Sequence, residues 1–397
     1  MKARHTPEPP RVALAMGGFL LLGMLTALLG CLTEVWLLSF SLDILSAGAY
    51  FLILNLGGIA AMVGARNIGP AAGAPLTALL SCSGVVAAAS LAALAWASSL
   101  YGLFAPLLFL GISIGLLCIS VSRLLSGTLL EGRASEVLNL AGVSFGAGTT
   151  GVCLLFWAAS GHVSWRWVLC FLAVFPVLLA LLAARNRTVR YVRSGASPLF
   201  LSWGELADPM TVLLGWALLL QSANQWVLGG WLAVYLTRKF GATTSAGLLT
   251  LVFFWLAVTC GRVLASRLPP LERRFQSAFW ATAMAIAGGV FLLKTVSLSG
   301  TIAGTLLLGA AIGALHPLTC GMAARRYPYY RAGFLNGIFS ISLAGGFFAP
   351  WLIAQLTPSL GIEVVIWWIL ASSLLLFAVL VALVVESKLL TRTEAVR

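Results

Sequence analysis

The chain has 397 residues, 60% hydrophobic and 9% charged, with 24 Lys and Arg against 11 Asp and Glu and a net charge of +13. So few charged side chains cannot cover a water-soluble globule of this length, and a mean hydropathy of +1.02 makes lipid the solvent for most of the surface. The basic residues lie in short clusters between apolar runs, which excludes a nucleic-acid-binding face.

Residues 1–11 are charged and Pro-rich, and the apolar run from Val12 is too long for a signal-peptide core, so it reads as a first transmembrane helix. Crossing ~30 Å of hydrocarbon takes roughly twenty helical residues. Cutting the sequence at charges, Pro and Gly clusters predicts about twelve spans, at 12–35, 45–65, 72–97, 102–123, 136–159, 165–185, 209–236, 244–266, 276–295, 299–323, 332–356 and 362–385. The runs are continuous rather than alternating, which argues against barrel strands.

The longest polar interruption, 186–208, carries Arg187, Arg190 and Arg193 and then Ser-Gly-Ala-Ser-Pro. It predicts a cytoplasmic linker between a bundle of six helices over 1–185 and a second over 209–397. The halves share a signature: Leu138-Asn139 and Gly148 in span five are matched by Leu335-Asn336 and Gly345 in span eleven, with Gly nine residues after Asn in both. Parallel repeats of this kind imply an axis along the membrane normal and a site between the halves. With both termini inside, the segments on that side hold 20 of the 24 Lys and Arg, and the outer ones keep only Arg166, Arg238, Lys239 and Lys294. The expectation is a monomeric multi-pass protein of a bacterial inner membrane.

Polar residues inside the spans are few, and each has a plain alternative. Glu34 continues a helical stripe with Gly23, Thr26 and Gly30; it is a proton-coupling candidate or an interfacial acid at the helix end. Asp43 reads as loop. Asn55, alone in span two, is a substrate contact or a packing amide. Gln221, Asn224 and Gln225 lie at i, i+3 and i+4 near the middle of span seven, as a substrate-binding face or interhelical glue. His316 precedes Pro317 and is the second proton-coupling candidate, or bonds a freed carbonyl. Arg66, Arg262 and Arg267 suit gating positions or lipid headgroups, and the repeated Asn139 and Asn336 suit gating or packing.

The seven cysteines all lie in apolar stretches without CxxC spacing, and no metal site or cofactor is expected. No HExxH, no Ser/His/Asp set and no paired intramembrane carboxylates point to an enzyme.

Several segments resemble the major facilitator superfamily, and within it the fucose-permease and sugar-permease-like branch. They are Leu138-Asn139 through Phe145-Gly146-Ala-Gly148, Trp165-Arg166-Trp167, Gly230-Trp231, Cys260-Gly261-Arg262 with Arg267-Leu268, His316-Pro317, and Gly345-Gly346 with Ala349-Pro350-Trp351. The sequence departs at Gly64-Ala65-Arg66-Asn67, which lacks the acid and basic pair usual after span two, and at Gln225, where the branch often has Glu. The resemblance implies a secondary transporter of a small polar, sugar-like solute working by alternating access, with Trp231 and Trp255 toward the site. Symport with H+ and uniport both stay open. The alternative is an exporter of amphipathic compounds or lipids.

Overall fold

The computed structural model describes residues 9–68, 76–129, 134–186, 208–267, 274–326 and 332–395. These form helices α1 (Pro9–Ser39), α2 (Ile44–Ile68), α3 (Leu76–Trp96), α4 (Leu100–Leu129), α5 (Ala134–Ala159), α6 (Trp165–Leu172) and α7 (Val174–Arg185). The second half continues with α8 (Pro209–Phe240), α9 (Thr244–Arg267), α10 (Arg274–Lys294), α11 (Leu298–Arg326), α12 (Ala332–Leu360) and α13 (Val364–Ala395). The predicted linker lies, apart from its first and last residues, outside the described residues.

Helices α6 and α7 make one span, Trp165–Arg185, interrupted at Ala173. Pro176 explains the break, because its ring crowds the Leu172 carbonyl four residues earlier and it has no N–H to donate. Among the described residues, ten helices, counting that pair as one, are long and apolar enough to cross a membrane. The remaining two, α8 and α12, have 32 and 29 residues, ample length to cross; α8 is diluted by its polar face. The chain is an all-α, multi-pass membrane protein.

Outward surfaces are apolar, as lipid requires: Phe171, Leu178, Leu181, Leu264 and Leu374 are all exposed. Trp96, Trp167 and Trp280 are 74%, 64% and 71% exposed near helix ends, where an amphipathic ring suits the headgroup level.

Within the first half α1 packs on α5, α2 on α4 and α3 on α4 and α7; within the second, α8 packs on α12, α9 on α11 and α10 on α11 and α13. The repeated sequence signature acquires a structural meaning here. Gly148 of α5 sits against the Leu20 carbonyl of α1, and Gly345 of α12 sits against the Leu219 carbonyl of α8, so the same glycine fastens each half to its own first helix.

Connections 40–43, 97–99, 160–164, 241–243, 295–297 and 361–363 all lie at one face, here called the short-loop end. Gly241 closes α8 there in a left-handed conformation (φ 61°), its N–H donating to the Thr237 carbonyl at 3.1 Å. Asp43 caps α2: its carboxylate accepts from the Ser46 hydroxyl at 2.5 Å and from the Ser46 N–H at 3.0 Å. Those bonds hold the Asp43 carboxyl below its ordinary value. The folded-state value is depressed, so the contribution is complete above the ordinary carboxylate range and fades as pH falls through the lowered value. Asp43→Ala should cost about 0.5–2 kcal/mol, nearer the lower figure at this exposed site. The gap between the two melting midpoints in detergent should close on acidification.

The halves meet chiefly through α2 with α12, α5 with α9 and α1 with α8. One continuous apolar core joins them toward the short-loop end, running from Trp36, Tyr50 and Phe51 to Trp231, Tyr235 and Ile353. A separate core of Met210, Leu214, Ala278, Leu318 and Leu380 holds the other end of the second half. The state described is therefore closed at the short-loop end.

Candidate functional site

The polar face of α8 divides in two. Asn224 turns toward α13, accepting a short hydrogen bond from the Ser372 hydroxyl and donating to Ser373 Oγ at 3.5 Å. That pair ties two helices of the same half.

Gln221 and Gln225 turn instead toward α9 and α11. Gln221 Nε2 donates to the Ile312 carbonyl at 3.3 Å and lies 3.5 Å from Gln225 Oε1. His316 Nδ1 lies 3.3 Å from Gln221 Oε1, and Cys320 Sγ lies 3.8 Å from His316 Nε2. The carbonyl oxygen must accept, so Nδ1 carries the proton and the thiol donates to Nε2, which describes a neutral ring. Pro317 next to this histidine removes the N–H that the Gly313 carbonyl would otherwise receive, and the Gln221 amide bonds the neighbouring carbonyl in that stretch.

Arg262 completes the cluster from α9. Its Nη2 donates to Gln225 Oε1 at 2.9 Å, and its guanidinium carbon stands 4.7 Å over the Phe145 ring of α5. Arg262 is five residues inside the end of α9, yet it reaches back toward the middle of α8, the opposite of snorkelling to the nearer surface. Its Nε is buried without a hydrogen-bond partner among the described residues. No carboxylate among them bonds the guanidinium. A charge at such depth costs about 2.5–3.5 kcal/mol on insertion scales, and one amide and one ring are modest compensation.

Glu34, 4% exposed, is enclosed between the halves and not turned to water. It faces the Thr237 hydroxyl and the charge of Arg238 at the end of α8, while its Oε2 has no partner among the described residues. Nearby, the Tyr50 hydroxyl and the Trp36 indole N–H are likewise buried without a partner among the described residues. Trp36 meets Tyr50 edge to face at 5.2 Å.

Trp231 bridges the halves: its ring stacks on Phe51 of α2 at 5.8 Å, and its Nε1 donates to the Pro350 carbonyl of α12 at 3.1 Å. Trp255 packs on Phe145 at 6.4 Å, with its indole N–H buried without a partner among the described residues. Asn55 spends its Nδ2 on the Phe51 carbonyl of its own helix at 2.8 Å, leaving Oδ1 buried without a described partner. Arg267 is exposed at the end of α9. The side chains of Arg66, Asn139 and Asn336 lie outside the described residues.

The structure thus brings Gln221, Gln225, His316 and Arg262 together, with Trp255 joined to them through Phe145, and sets Glu34, Asn55 and Asn224 apart. Sequence reasoning missed Phe145, Cys320, Ser372 and Ser373. The adjacent serines midway along an apolar span were the one available signal.

No family model matches the chain, and no curated protein matches it in sequence. Solved structures do match in shape. The D-xylose-proton symporter superposes with a TM-score of 0.72 at 13% identity, over 94% of this chain and 96% of that one. The chain has the major facilitator fold. The human organic anion transporter MFSD10 (TETRAN) matches at 0.68 and 16% identity, over 95% of this chain and all of that one. The xylose transporter XylE from E. coli, in a partially occluded inward-open conformation, matches at 0.68 and 13% identity, over 93% and 96%. Sites of major facilitator proteins lie between the two bundles near mid-depth. In this chain Arg262 of α9, Gln225 of α8 and Phe145 of α5 meet where the two bundles face each other.

Proposed function

We propose that this chain is a secondary transporter that moves a small polar organic solute across a bacterial inner membrane by alternating access. The observation that carries the reading is the polar cluster of Gln221, Gln225, His316 and Arg262, which reaches the interface between the two bundles where Arg262 meets the Phe145 ring. Amides and a guanidinium offer donors and an acceptor to a hydroxylated solute, and the Phe145 and Trp255 rings offer an apolar wall. The Lys and Arg bias supports cytoplasmic termini, and on that orientation the short-loop end, where the halves are closed, is the outer one.

Glu34, enclosed where the halves meet on the outer side, is the carboxylate best suited to exchange a proton as they part. His316 is engaged on both ring nitrogens within one half, a less mobile setting.

The test is uptake of labelled sugars and related polar solutes into proteoliposomes under an imposed pH gradient. Gln225→Ala should lower uptake about tenfold, equivalent to about 1.4 kcal/mol of lost interaction. Glu34→Gln should leave exchange of solute intact while removing its dependence on the gradient. Movement of amphipathic dyes or lysolipids, with no polar solute carried, would overturn the proposal.

A further inference from the structure

Among the described residues, Arg262 places a cation between the bundles and bonds no carboxylate. Arg262 is held between the bundles by Gln225 of α8 at 2.9 Å and the Phe145 ring at 4.7 Å, with Nε buried and unpartnered among the described residues. Nearby titratable groups are His316, which this network describes as a neutral ring, and the Cys320 thiol. Neither balances the charge. Glu34, the described carboxylate buried in a span, is committed to Thr237 and Arg238 at the other end of the interface.

A guanidinium serving only to hold its helix would be expected to bond a carbonyl or carboxylate of its own bundle through several of its N–H groups. Here the fork is left largely open beside a ring of the opposite bundle, in a geometry that accepts two oxygens side by side. Resting on the transporter reading above, we infer that the solute is an acid: a small hydroxylated organic anion whose oxyanion group pairs with Arg262 while its hydroxyls bond Gln225 and Gln221. The ligand's charge then neutralises Arg262 as the bundles close on it. An empty carrier, with the cation uncompensated, closes less readily at the cytoplasmic end, and this difference couples the solute to the conformational change.

The experiment uses the full chain in proteoliposomes of zwitterionic lipid, with matched pairs differing in a carboxylate: glucose and gluconate, xylose and xylonate, glycerol and glycerate. At least one acid should enter tenfold or more faster than its neutral partner. Arg262→Gln should abolish that preference, and Arg262→Lys should restore part of it, because an ammonium keeps the charge and loses the fork. Gln225→Glu is the second variant. A built-in carboxylate beside the guanidinium should occupy it, so the protein should melt no lower than wild type yet lose acid uptake at least tenfold. This arm decides the matter even if Arg262→Gln does not fold.

Neutral members entering as fast as the acids, with Arg262→Gln leaving the ratio unchanged, would overturn the anion while the transporter stands. Stabilisation by phosphatidylglycerol with none by any soluble acid would assign Arg262 to a lipid phosphate and overturn it equally. If no member of any pair enters, the transporter reading itself fails and this inference falls with it.

Discussion

Gly30→Ala should abolish most transport, by about two orders of magnitude, while leaving a folded, monodisperse protein. Gly30 of α1 faces the Gly229 carbonyl of α8 directly, and an added Cβ would overlap that oxygen. The obstruction is backbone, so no side-chain rotation relieves it, and α1 and α8 belong to different bundles. The bundles can relieve the clash by parting at the short-loop end, at little cost to their own cores. A bias of about 2.7 kcal/mol against the closed state changes its population about a hundredfold. Spin labels at Ser99 and Ser297, exposed on opposite halves at that end, should report a longer distance in the variant than in wild type. An unchanged distance distribution with normal uptake would show that α1 and α8 do not close against each other during the cycle.

Gly148→Ala should act on stability instead. Gly148 faces the Leu20 carbonyl of α1, and here the two helices belong to one bundle. Nothing can part without breaking the packing that defines the half, so the added methyl should cost about 1–3 kcal/mol or more, as overpacked cores do. Gly151, three residues on in the same helix, has open space where its Cβ would be. Gly151→Ala should be neutral or slightly stabilising, since Ala is the better helix former by up to about 1 kcal/mol. Melting in detergent, followed by size-exclusion monodispersity, separates the two. Equal midpoints for both variants would mean that close approach at Gly148 contributes nothing.

The contrast between these glycines shows how far the sequence could be read. Gly148 and Gly345 were visible as a repeat, because each stands nine residues after Asn in matching spans, and the structure gives both the same task. Gly30 was visible only as part of a stripe with Thr26 and Glu34. Nothing local to α1 reveals that its partner lies two hundred residues away on α8.

The polar residues follow the same division. Gln221, Asn224 and Gln225 share a helical face by spacing, yet Asn224 leans to Ser372 on α13 while the glutamines lean to α9 and α11. Asn224 and Gln225 are adjacent and so about 100° apart around the helix, and the neighbouring helices decide which partner each one meets. Arg262 was expected among the basic residues of the cytoplasmic side. Its position five residues inside the helix end fits that expectation as well as it fits the inward-reaching side chain found here.

That lipid is the solvent, that the elements are helices of membrane length, about how many there are and which segments repeat are all legible in the residues alone. Those properties follow from composition, run length and periodicity, which are local and additive. Which side of the interface is closed, that Glu34 is enclosed between the halves, and that Arg262 meets Gln225 and Phe145 without a carboxylate among its described partners emerge only once the helices are packed together. The physical reason is that closure and pairing depend on contacts between helices far apart in the chain, and hydropathy, being nearly uniform across the spans, carries no record of which faces meet.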